Sequence, residues 1–79
     1  MNVNNYYMVI YVDVETEELI KVVYVPVQNI PIVLAMLNME ASETVIKLDE
    51  ICYTVASKYF APATSKATYN ALVVEVEEL

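Results

Sequence analysis

Residues 43–60 read ETVIKLDEICYTVASKYF, and whether this run is strand or helix decides the fold. Treated as one strand, its alternate positions bring Ile46, Leu48, Glu50, Cys52, Thr54 and Lys58 to a single face, a mixture that makes no core. At helical spacing Glu43, Lys47, Glu50, Thr54, Ser57 and Lys58 share one arc, while Val45, Leu48, Ile51, Cys52, Val55 and Tyr59 share the other side. Ser42 suits an N-cap, Glu43 the positive helix start, Lys58 the negative end and Pro62 the exit. The spacing therefore predicts a helix, with Asp49 on the apolar side as its misfit. In that helix Cys52 lies between Leu48 and Val55 with no basic neighbour in sequence, which describes a buried, inert thiol.

Upstream, Asn29-Ile30-Pro31 opens another helix that runs to about Met39 and is apolar on nearly every side. Together the two segments have the outline of a helix-turn-helix unit, with Ala35, Val45 and Leu48 where packing residues belong. The turn departs from that pattern, because Met39 and Glu40 stand where such units commonly carry a glycine and an aliphatic residue. The would-be reading helix offers Lys47 beside Asp49 and Glu50, with no arginine to grip guanine or phosphate. Two core helices joined by an acidic turn is the better reading.

Further out, Tyr6 to Val14 alternates as a β-strand: Tyr6, Met8, Ile10, Val12 and Val14 on one face, Tyr7, Val9, Tyr11 and Asp13 on the other. Leu19 to Val27 is its hairpin partner. A three-residue loop at Thr16, Glu17 and Glu18 sets Val14 opposite Ile20, Val12 opposite Val22, Ile10 opposite Tyr24 and Asp13 opposite Lys21. It forces a Glu into the left-handed position, at a cost of about 1 kcal/mol. A last strand spans about Tyr69 to Glu78. The predicted fold is α+β, one domain over residues 1–79: a β-hairpin, two helices and a final strand (ββααβ), with a three-stranded sheet covered by helices on its even-numbered face.

Composition bounds the chemistry. The chain contains no glycine, which excludes a phosphate-cradling loop, and no histidine, which removes the usual general base and zinc ligand. A non-enzymatic protein without cofactor or metal is expected; Asp13, Glu15 and Glu17 match no calcium loop. One cysteine excludes an internal disulfide and suits a reducing compartment. The absence of a long apolar run or a basic, cleavable leader points to a soluble cytoplasmic protein, in the host cytoplasm if the source is viral.

Eleven Asp and Glu against four Lys give a net charge of −7, which repels nucleic acid and favours a partner with a basic surface. If the final strand runs parallel to the first, one end of the molecule gathers Asp13, Glu15, Glu17, Glu18, Glu40, Glu43, Glu75, Glu77 and Glu78, with Lys58 and Lys66 at the other. The uncovered sheet face then presents Tyr7, Val9, Tyr11, Val23 and Val25, apolar enough for a docking patch or a homodimer contact. In size and charge the chain resembles small acidic inhibitors from phages and mobile elements, DNA mimics of anti-restriction and anti-CRISPR type; the likeness lies in composition and rests on no motif. The expected function is a protein-binding module that inhibits a nucleic-acid-binding host protein. The alternatives are a helix-turn-helix-like transcriptional regulator and a dimerising structural domain.

Overall fold

A computed structural model describes residues 5–37, 45–63 and 69–79. In chain order the elements are strands β1 (Tyr6–Asp13) and β2 (Leu19–Pro26), a 3-10 turn (Val27–Asn29), helix α1 (Ile30–Leu37), and strands β3 (Val45–Leu48), β4 (Ile51–Ala61) and β5 (Asn70–Glu78). The strands form one mixed sheet in the order β2-β1-β5-β4-β3, curled into a nearly closed barrel. The expected ββααβ fold with a three-stranded sheet is therefore wrong: the segment expected as the second helix is a second hairpin.

The reason lies in two changes of parity. Leu48 pairs with Ile51 across a two-residue turn in which Asp49 (φ 50°) and Glu50 (φ 75°) are both left-handed, the geometry of a type I′ hairpin. After that turn the inner positions are odd, with Tyr53 and Val55 buried. A register shift between Val55 and Ser57 makes them even again, so that Lys58 faces Val74 and Phe60 faces Leu72. A single alternation test across 43–60 mixes inner and outer residues, and the mixture imitates helical spacing. The β-branched and aromatic content of the stretch fits the strands.

The first hairpin forms where expected, in a different register. Ile10 pairs with Val22 and Val9 with Val23, and a bulge follows Tyr11. Asp13 Oδ1 accepts hydrogen bonds from Glu15 N (2.8 Å) and Thr16 N (3.1 Å), which starts the turn at Asp13 rather than at Glu15. Asp13 N donates to Glu18 O and Glu17 N to Asp13 O, leaving Glu17 (φ 62°) in the left-handed position that a Glu was expected to fill.

β5 lies between the hairpins, parallel to β1 and antiparallel to β4. Its register places Leu72 beside Val9 and Val74 beside Tyr11. Val9, Leu48, Tyr53, Val55, Leu72, Val74 and Val76 form the core, and Tyr7, Tyr11, Ile20, Val25 and Ile46 pack against it. The inner face of β1 is thus its odd face, the reverse of the expectation. Both faces of β1 are apolar: Ile10, on the even face, also stands between Val22 and Val73. Alternation alone cannot choose between them; the partner strands do. Helix α1 adds Ile30, Val33 and Leu34 to the core at the i, i+3, i+4 spacing of one helix face, and leaves Ile32 exposed. None of the described helices is long and apolar enough to cross a membrane.

Candidate functional site: the acidic end of the barrel

Strand direction assembles this end. β1 and β5 run side by side and finish together, with Asp13 level with Val76. Val14 N donates to Val76 O at 2.9 Å, and Leu79 N to Cys52 O at 3.0 Å, tying both flanks of the β5 terminus. The last two pairs of the β4–β5 ladder set Tyr53 opposite Glu78 and Thr54 opposite Glu77, immediately below the Asp49–Glu50 turn. Three separate segments therefore bring eight carboxylates to one end: Asp13, Glu15, Glu17 and Glu18; Asp49 and Glu50; Glu77 and Glu78. Two lysines share it. Lys21 Nζ binds Asp49 Oδ1 at 3.0 Å, and Lys47 stands opposite Cys52.

Of the acidic residues expected here, Asp13, Glu15, Glu17, Glu18, Glu77 and Glu78 are together. Glu75 is set back along β5, on the outer face, where its carboxylate accepts a hydrogen bond from Ser57 Oγ. Glu40 and Glu43 lie outside the described residues, as does Lys66. Lys58 sits opposite Val74 in the middle of the β4–β5 ladder rather than at the far end. Asp49 and Glu50 were missed because a helix put them elsewhere; an acidic pair between Val45–Leu48 and Ile51–Val55, two β-rich runs, was the available signal.

The inner-face groups near this mouth are Asp13, Glu78, Lys21, Tyr11 and Tyr53. The Tyr53 side chain belongs to the core, and the residue is 6% exposed. Burial raises its phenol above the ordinary tyrosine value, and the negative charges of Glu78, Asp13 and Asp49 push the same way. Burial also raises Tyr11, against a smaller lowering by the Lys21 ammonium. Tyr53 went unnoticed in the sequence because the helix reading gave its position no special place.

Of the five residues expected as a sheet-face patch, Val9 is instead fully buried, Tyr7, Tyr11 and Val25 are partly buried and pack against the core, and Val23 is 36% exposed. Cys52, expected to be buried, is exposed on the outer face of β4. The helix-turn-helix alternative loses its second helix to β3 and β4.

At the opposite end, an open hollow of about 560 Å³ is lined by Asn5, Tyr6, Pro26, Val27 and Gln28. A smaller one of about 130 Å³ lies beside the edge-to-face pair of Tyr7 and Phe60. Among the described residues, neither lining holds a carboxylate, cysteine or lysine. Among the described residues no three Asp, Glu or Cys side chains are grouped closely enough to hold a metal ion.

Fold and site define the chain as a small mixed β-barrel with a strongly acidic end. Comparison with protein families, with curated proteins and with solved structures found no match for it.

Proposed function

We propose that the chain is a non-enzymatic protein-binding module that acts through its acidic end, engaging a basic surface on a partner. The supporting observation is the convergence of eight carboxylates from three segments of the chain. Like charges this close repel one another and cost stability, so their collection at one end favours use over mere solubility. The form we favour is inhibition of a nucleic-acid-binding protein in the cytoplasm, where spaced negative charge on a rigid barrel stands in for a phosphate backbone. A phage or mobile element is the fitting source for such an inhibitor.

Capture of the partner from lysate of the native host, followed by affinity measurements over a salt series, tests this reading. Affinity should fall steeply as salt rises. Changing Glu15, Glu17 and Glu18 together to Gln should weaken it at least tenfold. Affinity that stays flat from low to high salt removes the electrostatic reading.

A further inference from the structure

We propose that the mouth of the acidic end is a socket for a single guanidinium group, the arginine side chain of a basic protein partner, with the Tyr53 hydroxyl at its floor and Asp13 and Glu78 at its walls. This rests on the acidic-end reading and gives that surface a specific point of contact.

Charge alone does not make the site; Tyr53 does. It closes the β4–β5 ladder opposite Glu78, on the same inner face as the buried Val55 and Val76. The residue is 6% exposed, and its hydroxyl has no hydrogen-bond partner among the described residues. No buried side-chain oxygen or nitrogen among them lacks a partner, so this hydroxyl reaches solvent, at the strand position opposite Glu78. A phenol held by its ring in the core and bare at its tip is a preorganised hydrogen-bonding group. The fields of Glu78, Asp13 and Asp49, from three different elements, converge on it.

The kinds of groups present select the ligand. Among the described residues no three carboxylates are grouped tightly enough to chelate a metal ion. A guanidinium is broad and planar, with five donors that can reach two carboxylates and a phenol oxygen at once; an ammonium is a compact point charge. Asp49 is already engaged by Lys21, which leaves Asp13 and Glu78 to meet the incoming cation. Asp13 Oδ1 is committed to the turn, so its other oxygen is the one to offer.

The test titrates the whole protein with hexa-arginine and, separately, with hexalysine at matched low salt, following the Tyr53 ring resonances and the Asp13 and Glu78 amides by NMR. Hexa-arginine should shift these signals saturably and bind more tightly than hexalysine. Tyr53→Phe, which keeps the ring in the core, should weaken hexa-arginine binding about tenfold, as expected for loss of a hydrogen bond to a charged group. Asp13→Asn, which keeps the turn-forming oxygen, and Glu78→Gln should each weaken it more than Glu15→Gln does. Salt-sensitive binding of both peptides that ignores Tyr53→Phe overturns the socket and leaves the acidic-end reading standing. No binding of either peptide at low salt overturns both.

Discussion

The two hairpins carry opposite lessons about how a turn is encoded without glycine. In the β1–β2 hairpin the loop is held by a side chain: Asp13 accepts two backbone N–H groups, Thr16 Oγ1 accepts Glu18 N at 3.3 Å, and one residue, Glu17, is left-handed. In the β3–β4 hairpin the turn is minimal and its strain undivided, with Asp49 and Glu50 both left-handed and both side chains acidic. The first turn is written in residues known to form turns. The second is dictated by the apolar strands on either side, which gain more from pairing and burial than the backbone loses.

The comparison breaks most forcefully at the strand both hairpins share. Leu72 stands beside Val9 on one flank and Phe60 on the other and is 1% exposed. Leu72→Ala should cost about 2–5 kcal/mol, and chemical denaturation should still show a single transition. Two separated transitions would mean that the hairpins are independent units rather than halves of one barrel.

Glycine sharpens it next. Glu50→Gly relieves a left-handed residue at the expense of unfolded-chain entropy, and should stabilise the protein by up to about 1 kcal/mol. In a helix the same change would destabilise by about 1 kcal/mol, so the sign of the shift in denaturation midpoint separates hairpin from helix. Glu17→Gly should give a gain of similar size in the first hairpin.

A smaller effect is expected at the link between the hairpins. Lys21 on β2 and Asp49 in the second turn are 40% and 70% exposed, so solvent screens their ion pair. A double-mutant cycle with Lys21→Met and Asp49→Asn should return a coupling of about 0.2–1 kcal/mol that fades with salt. A larger, salt-independent coupling would show the pair to be a principal closure of the barrel.

The last effect appears only in alkali. Tyr53 and Tyr11 both sit above the ordinary tyrosine value of 10.0 in the folded protein. The unfolded chain then releases its phenolic protons first, so stability is full below that value and declines as pH rises through the folded values. Tyr53→Phe should flatten the decline measured by denaturation above pH 10, and an unchanged slope would assign the effect elsewhere.

Much of the chain was legible in its sequence. Both strands of the first hairpin, the start of α1 and the span and direction of β5 follow from alternation, Pro31 and simple geometry. The second hairpin did not, because the Asp49–Glu50 turn and the irregularity at Ala56 each reset the alternation, and no glycine or asparagine marked either place. The acidic end survived that error. Asp13 to Glu18 and Glu77 to Glu78 belong to segments that were read correctly, and β5 does run parallel to β1. The face of β1 was misassigned for a different reason. Tyr7, Val9 and Tyr11 are no more apolar than Met8, Ile10 and Val12, so the burial of one set depends on Leu72 and Val74, some sixty residues away in sequence.

That dependence on β5 governs when the protein can fold. During synthesis the β1–β2 hairpin emerges before α1, and α1 before the β3–β4 hairpin, and neither hairpin has its neighbour until β5 leaves the ribosome. Parallel pairing between elements so far apart along the chain is slow, since the loop must close before any contact rewards it. The nascent chain therefore carries unpaired strand edges until β5 has emerged, and the surplus of negative charge that marks the finished barrel also keeps neighbouring nascent chains apart.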